Sequence, residues 1–392
     1  MTPAQQAALV AWLRAQAEAI APGQVQPPAP SPPAPAPTPA PPAPAGRLLE
    51  SVAATMQPGE WRQVSTTLPP EFSNFQGFQY VKAIPPATGG ADGMGWTERI
   101  VERDGRLLTV LMRDSFQQYL ATMTADGAWS RSPLDGLPNV GERRPFNRLI
   151  EAHGYALFSE SDGKTSIGDF YRTPLDNPGA WERFGVPVGN DQFDTVGNFA
   201  SCYSPDWDRY FHFCPGGKIY SASHADLEAA TPNCWIRHDE NIPQAQSPTG
   251  FAGTILWNPV KRQVWAAGGQ TFGTAPDLSM YSLSISGPTE QTVLHGPARL
   301  PDGTVLGAIT SGSSRFITDR RDGSVFMLYR DHKLYRSVDG EVWDLYEDLT
   351  ALKPWGNYEQ YIPWTHLGAH DDVIVCVSHM RGVWLHRLKA LS

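Results

Sequence analysis

The sequence predicts an all-β protein, a six-bladed β-propeller preceded by a short amphipathic helix and a Pro/Ala-rich linker. The first observation is that segments of similar layout recur at steps of 50 to 62 residues. The second is that each segment holds short β-rich runs separated by Gly, Asp, Asn and Pro, as expected for strands and turns. The segments begin near Trp96, Phe146, Phe199, Phe251, Ser313 and Trp364.

Each segment contains a hairpin followed by two further strands. The stretches RIVERDGRLLTVLM (99–112) and ILWNPVKRQVWAA (255–267) have the form of the hairpin. Asp-Gly pairs such as Asp104-Gly105 suit its two-residue turn. The last strand of a segment often begins with tryptophan, as in ADGAWSRS and DGEVWDLY. Four strands in each segment predict one blade of a propeller.

The last segment supplies only three strands, and the missing strand is found near the start of the domain. The stretch GEWRQVST (59–66) has the tryptophan-led form of the other outer strands and belongs to no other segment. Placing Trp61 in the last blade closes the ring and leaves no long sheet edge exposed. We therefore expect a six-bladed propeller over residues 51–392 that is closed by an N-terminal strand.

Residues 1–23 predict an amphipathic helix that serves as an anchor. Thr2 suits the N-cap and Pro3 the first helical position, and Pro22-Gly23 ends the helix. A helix of this length is marginally stable alone in water. We expect it to dock on a partner or on identical copies of itself, with a weakly helical tail as the alternative. The docking residues would be Leu9, Trp12, Leu13, Ala17 and Ile20.

Residues 24–50 predict an extended spacer. Alternating proline and alanine favour a polyproline-II conformation, whose reach here is on the order of 70 Å. A ligand for SH3-type domains is the alternative, but such ligands usually carry a flanking basic residue and only Arg47 is near. The spacer would hold the propeller away from whatever binds the helix.

Charge and hydropathy exclude several classes of partner. The chain of 392 residues has a formal net charge of -9 and a pI near 5.6, and it contains no basic stripe. Nucleic acid is therefore not expected as the main partner. The N-terminus lacks a basic region, and Arg14 and Glu18 interrupt its apolar run, so no secretory signal is predicted. No stretch has the length of a membrane span.

The cysteines do not predict a metal site or a disulfide framework. They lack CxxC spacing, and free thiols are the expectation, with one bridge left open among the three that are close in sequence. No zinc or cofactor motif is present, so the sequence predicts neither a metal nor a cofactor. The cysteines are Cys202, Cys214, Cys234 and Cys376.

One turn resembles a motif of a known propeller family. RSVDGEVW (336–343) resembles the Asp-box turn of sialidase-like (BNR) propellers, although it is one residue short. TADGAW (124–129) resembles the same turn less closely. The resemblance implies that the aspartate caps the hairpin and that the tryptophan packs between sheets. Its role would be structural, so it does not indicate catalysis.

Two loops beside the closing blade are candidates for ligand binding. The stretches 69–96 and 350–364 leave and enter this blade and are rich in aromatic and amide side chains. Aromatic faces suit sugar rings and amides suit their hydroxyls, whereas the alternative is that these aromatics cover the propeller core. The candidate residues are Phe75, Phe78, Tyr80, Trp355, Asn357, Tyr358, Tyr361 and Trp364.

A second candidate site lies along the central channel. Arg99, Arg148 and Arg315 occupy similar positions on three inner strands, with His366 at the corresponding place in the last blade. Converging guanidinium groups bind carboxylates well. Sialidases use an arginine triad in this way, although their early Arg-Ile-Pro motif is absent here. The alternative is structural ion pairing with Glu102, Glu151 or Asp319.

The overall layout resembles bacteriophage fibre or spike proteins. That resemblance implies a virion-associated adsorption protein, made in the host cytoplasm, whose helix binds a virion structural protein and whose propeller binds a host surface glycan or receptor. A sialidase-like glycoside hydrolase that uses the arginine cluster is the alternative, and a bacterial scaffold protein is a third. No spacing selects a catalytic pair, so the sequence favours binding over catalysis.

Overall fold

The described residues form six four-stranded antiparallel sheets, which confirms the prediction of an all-β six-bladed propeller. The first strands of neighbouring sheets contact one another, so these strands line the centre and the later strands lie outside. A computed structural model describes residues 47–65, 100–112, 118–133, 149–161, 167–185, 200–213, 218–240, 249–269, 280–307, 316–329, 332–354, 364–378 and 382–391.

The blades follow the chain in order, each from its inner to its outer strand. Blade 6 takes its outer strand from β1 (Trp61–Ser65). Blade 1 contains β2 (Ile100–Arg103), β3 (Arg106–Met112), β4 (Gln118–Met123) and β5 (Trp129–Pro133). Blade 2 contains β6 (Leu149–Ala152), β7 (Tyr155–Ser161), β8 (Ile167–Pro174) and β9 (Glu182–Phe184). Blade 3 contains β10 (Ala200–Ser204), β11 (Arg209–Phe213), β12 (Ile219–Ser223) and β13 (Ile236–Arg237).

The second half of the ring repeats this plan. Blade 4 contains β14 (Thr249–Asn258), β15 (Gln263–Gly269), β16 (Tyr281–Ile285) and β17 (Val293–Pro297). Blade 5 contains β18 (Phe316–Thr318), β19 (Val325–Leu328), β20 (Lys333–Ser337) and β21 (Asp344–Asp348). Blade 6 contains β22 (Trp364–His366), β23 (Val373–Ser378) and β24 (Gly382–Arg387) in addition to β1. Among the described residues, no helix has the length and apolar character needed to cross a membrane.

Blade 6 is closed by the N-terminal strand, as the sequence predicts. Trp61 lies opposite His386 in the antiparallel pair of β1 and β24, and Gln63 lies opposite Trp384. The amide of Arg387 donates to the carbonyl oxygen of Glu60 at 2.9 Å. One sheet thus joins strands from the two ends of the domain, which removes a free edge from the ring.

A short helix, α1 (Leu48–Ala53), packs beneath blades 1 and 6. Leu49, Ala53 and Met56 are buried in a cluster that includes Leu107 of blade 1 and Val375 of blade 6. The proline-rich composition ends at Gly46, and the apolar pair after Arg47 is available for the core. The predicted spacer ends at residue 50, whereas α1 begins at Leu48 and continues to Ala53. The second described helix is α2 (His224–Glu228) in blade 3.

The turn between β20 and β21 is fixed by side-chain hydrogen bonds. Asp339 Oδ1 accepts from the amides of Glu341 and Val342 at 2.8 and 3.0 Å. Trp343 is fully buried and packs in one cluster with Trp265 of blade 4. A turn of blade 5 therefore contributes to the packing between two blades.

Several expectations fall outside the described residues. These include the anchoring helix, the greater part of the spacer, all of loop 69–96, and residues 355–363 of loop 350–364. Cys202, Cys234 and Cys376 form no disulfide with one another. Cys214 lies outside the described residues.

Candidate functional site

The inner strands surround a cavity of about 580 Å³ at the propeller centre, open where each strand meets its hairpin turn. All six blades contribute side chains to its wall. We call this region the channel mouth. Its polar and aromatic lining includes Glu102, Glu151, Tyr203, Trp257, Thr318, Arg320, Trp364, His366 and Asp371.

Arg320 brings a cation into the channel mouth from the turn after β18. Its Nη1 donates to the carbonyl oxygen of Gly368 in blade 6 at 3.0 Å. Burial lowers the pKa of this guanidinium, and the carboxylates of Asp371, Glu102 and Glu151 act in the opposite direction. Within the described part of the chain, Arg320 forms no ion pair at hydrogen-bonding distance, so it retains donors for a ligand.

Two side chains of neighbouring blades leave buried polar atoms unpaired in the channel mouth. His366 Nε2 lies 2.7 Å from the carbonyl oxygen of Thr318, so Nε2 carries the proton and Nδ1 is an acceptor. His366 Nδ1 and Thr318 Oγ1 have no hydrogen-bond partner among the described residues. Burial lowers the pKa of His366 to about 3, so the imidazole is neutral. Unpaired buried polar atoms are uncommon in native proteins, and a water, an ion or a ligand can supply the partner.

Trp257 adds an indole ring from blade 4, the neighbour of blade 5. Its indole Nε1 is buried without a partner in the described residues. The indole meets Trp207 of blade 3 edge to face, with ring centroids 4.8 Å apart. The channel mouth therefore combines an aromatic surface with both donors and acceptors of hydrogen bonds.

The carboxylates of the channel mouth also join neighbouring blades. Glu102 accepts from the amide of Gly105 at 2.7 Å and from the amide of Gly368 across the blade boundary. Burial raises the pKa of Glu102, although these two amides lower it. Glu151 of blade 2 pairs with Arg103 of blade 1 at 2.9 Å. Both carboxylates therefore have structural partners.

The structure places two of the residues that the sequence singles out in the channel mouth. Trp364 is only 7% exposed and packs with Ile317 and Cys376, so its ring belongs mainly to the core. His366 lies in the channel at the position expected for an inner strand. The remaining candidates lie outside the described residues: Phe75, Phe78, Tyr80, Arg99, Arg148, Arg315, Trp355, Asn357, Tyr358 and Tyr361.

Sequence reasoning did not single out Thr318, Arg320 or Asp371. Thr318 and Arg320 belong to the stretch TDRRDG, and Asp371 belongs to the corresponding turn of blade 6. A comparison of the same turn in all six segments would have placed these residues near one another. Asp319, an expected ion-pair partner, pairs with Arg321 at 2.8 Å.

The fold and the central cavity define the class of the protein as a six-bladed β-propeller. No family model matches the sequence, and no curated protein matches it. The α-L-arabinofuranosidase Arb93A of Fusarium graminearum, solved with an iminosugar inhibitor, has 13% identity and a TM-score of 0.51. The similarity covers 78% of this chain and 95% of that chain.

Two further solved structures show similar sequence identity to this chain. The GH93 α-L-arabinofuranosidase of Fusarium graminearum with arabinobiose has 13% identity, a TM-score of 0.51, and coverage of 78% and 95%. A Bacteroides thetaiotaomicron VPI-5482 protein of unknown function has 12% identity, a TM-score of 0.47, and coverage of 74% and 69%. At such identities the likeness is one of fold alone.

Proposed function

We propose that the protein is a virion-associated adsorption protein whose propeller binds a host surface glycan in the channel mouth. The observation that supports glycan binding is the pair of unpaired buried atoms, Thr318 Oγ1 and His366 Nδ1, at the wall of a central cavity. The cavity volume of about 580 Å³ lies within the range of small-molecule sites. A ligand rich in hydroxyl groups would satisfy both atoms once their side chains rotate towards the cavity, since neither atom is solvent-accessible.

The chemistry of the lining favours a neutral glycan. A sugar hydroxyl both donates and accepts, so it suits His366 Nδ1 as acceptor and the guanidinium of Arg320 as donor. The indole of Trp257 offers an apolar face for a sugar ring. Among the described lining residues, the carboxylates of Glu102, Glu151 and Asp371 outnumber the guanidinium of Arg320 and would repel a polyanion.

The layout of the chain supports the virion part of the proposal. Residues 1–23 would dock on a virion structural protein or on identical copies, and the spacer would hold the propeller at a distance on the order of 70 Å. This part rests on the resemblance to fibre and spike proteins. Deletion of residues 1–23 should abolish virion association and leave glycan binding unchanged, and association that survives the deletion would contradict the anchor.

Glycan binding is tested with the full chain on a glycan array, followed by calorimetric titration of the best neutral oligosaccharide. Arg320→Gln and Thr318→Val should each weaken binding at least tenfold, since each removes a hydrogen-bonding group from the channel mouth. Arg106→Gln, an exposed arginine on β3 of blade 1, is the matched control and should bind as the parent does. Absence of binding by the parent, or parental affinity of both channel variants, would overturn the proposal.

Glycoside hydrolysis is the second candidate, and the environment of Glu102 supports it. A raised pKa suits a general acid, and Glu151 and Asp371 line the same cavity. Against it, both oxygens of Glu102 accept backbone amides. Release of reducing ends from a neutral polysaccharide that is lost in Glu151→Gln would favour the hydrolase, whereas binding without turnover would favour the adsorption protein.

A further inference from the structure

Two histidines and an aspartate meet on the surface at the boundary between blades 2 and 3. His153 lies in the turn between β6 and β7, and Asp208 lies in the turn between β10 and β11. His224 is the first residue of α2. One ligand atom from each of the three lies within 4.8 Å of the others. We call these three residues the histidine cluster.

From this cluster we propose a binding site for a divalent transition-metal ion, with Zn²⁺ as the best-suited ion. Two imidazoles and one carboxylate form a donor set that Zn²⁺ commonly takes. The site would lie beside the channel mouth and does not depend on glycan binding. The sequence predicts no metal site because the donors come from three separate parts of the chain.

Three of the polar atoms at the site already lie close together. His153 Nε2 lies 2.7 Å from Asp208 Oδ1. The hydroxyl oxygen of Tyr203 lies 2.6 Å from Asp208 Oδ1 and 2.9 Å from His153 Nε2. Ligands of a tetrahedral zinc ion are roughly 3.3 Å apart, given bonds of about 2.0–2.1 Å. An ion would therefore spread this group by about half an ångström, and Tyr203 or water would complete the coordination.

His224 is the third ligand and is already oriented by its neighbours. Its Nδ1 lies 2.9 Å from the hydroxyl oxygen of Tyr210, which leaves Nε2 as the metal-binding atom. Glu228 is 3.9 Å from that Nε2 but is held by Arg172 at 2.7 Å. Hydrogen bonds of this kind to the second imidazole nitrogen are typical of metal-binding histidines.

The two imidazoles of the cluster stack, with ring centroids 3.7 Å apart and planes inclined by 24°. Ligation would turn the rings out of this stack, since their in-plane lone pairs must converge on one ion. The side chains of His153, Asp208 and His224 are 39%, 50% and 20% exposed, so an ion can reach them from solvent. Because the donors belong to two blades, bound metal would link blade 2 to blade 3 and stabilise the propeller.

The test uses the full chain after treatment with a chelator. Calorimetric titration with Zn²⁺ should give one ion per chain with a dissociation constant in the micromolar range or below. Saturating Zn²⁺ should raise the melting temperature by several degrees. Titration with Co²⁺ should produce visible absorption bands with the intensity of a tetrahedral site.

The variants decide whether the signal comes from this cluster. His153→Ala and Asp208→Asn should each weaken Zn²⁺ binding at least tenfold and remove the Co²⁺ bands, and Asp208→Asn nearly preserves side-chain shape. His370→Ala, in the blade 6 turn outside the cluster, is the control and should bind as the parent does. Failure of the parent to bind Zn²⁺, parental affinity of both cluster variants, or an equal loss in His370→Ala would overturn the proposal.

Discussion

The indole of Trp61 lies flat on the imidazole of His386, with ring centroids 4.1 Å apart and planes inclined by 12°. The two residues are also direct partners across β1 and β24. Trp61 Nε1 donates to Glu347 of blade 5 at 3.2 Å. The closing strand is therefore fixed to its own blade by the sheet and to the next blade by a side chain.

Trp61→Ala should destabilise the whole propeller. The substitution removes the stacked ring and leaves the half-buried carboxylate of Glu347 without its indole donor, so we expect a loss of about 2–4 kcal/mol. The free energy of unfolding in urea measures the loss. Val293→Ala, on the outer strand of blade 4, is the control because Val293 is 53% exposed. A loss below about 0.5 kcal/mol in Trp61→Ala would contradict a closing role.

Two deletions distinguish the contribution of the spacer to stability from that of the closing strand. Removal of residues 1–46 should leave the thermal transition of the propeller unchanged, because the described core begins at Leu49. Removal of residues 1–65 also takes away α1 and β1, so the edge of β24 is exposed and cooperative unfolding should be lost. Differential scanning calorimetry of the two shortened chains checks both expectations. A cooperative transition in the shorter chain would show that closure is dispensable.

Leu49→Ala should cost about 2–4 kcal/mol, since the side chain is fully buried between blades 1 and 6. Chemical denaturation measures the difference from the parent. Ser51→Ala, about half a turn away on the exposed side of α1, should change stability by less than about 0.5 kcal/mol. Equal stabilities of the two variants would place α1 outside the cooperative unit.

Two glycines in left-handed turns form a matched pair for steric contact. Gly340 has a φ of 86°, and an added Cβ would lie 2.7 Å from the Trp265 ring and from Ser282 Oγ. Gly303 has a φ of 88° with no atom within 4 Å of an added Cβ. Gly303→Ala should cost about 1–2 kcal/mol from backbone strain alone. Gly340→Ala should cost about 1–3 kcal/mol more through overpacking, and equal unfolding free energies would contradict this account.

Acid should destabilise the propeller through buried neutral histidines. Burial lowers the pKa values of His212, His366 and His386 to about 3. In the unfolded chain the pKa of histidine is about 6.5. Between about pH 3 and pH 6.5 the unfolded state therefore binds more protons than the folded state. Stability contributed by these groups is therefore complete above pH 6.5 and falls as the pH falls towards 3. Each histidine should cost about 1.4 kcal/mol between pH 7.5 and pH 5.5.

Urea unfolding at the two pH values measures this loss, and His212→Phe isolates one histidine. Its ring is stacked on Phe170 with centroids 4.9 Å apart, so phenylalanine preserves the aromatic contact. The variant should lose about 1.4 kcal/mol less than the parent between the two pH values. An identical pH dependence of parent and variant would mean that His212 has the same pKa in the folded protein as in the unfolded chain.

Much of the fold follows from local sequence patterns. Hairpin turns with Asp-Gly pairs, strands rich in β-branched and aromatic residues, and a regular repeat length predict four strands in each blade. The tryptophan-led form of residues 59–66 predicts the closing strand, and the pairing of Trp61 with His386 confirms it. The beginning of the packed domain is less predictable, because α1 is stabilised by contacts with blades 1 and 6 rather than by its own six residues.

The sequence by itself determined the class of fold, the number of blades and the strand that closes the ring, since strand and turn propensities act over a few residues. Only the tertiary structure decided which side chains share a site. His366 meets the carbonyl oxygen of Thr318, and His153 meets Asp208, across blade boundaries and 48 and 55 residues apart. Packing between blades sets these contacts. It also buries Trp364, which the sequence predicts to be a ligand-binding aromatic residue. Burial and orientation depend on neighbours in space, which a local pattern does not contain.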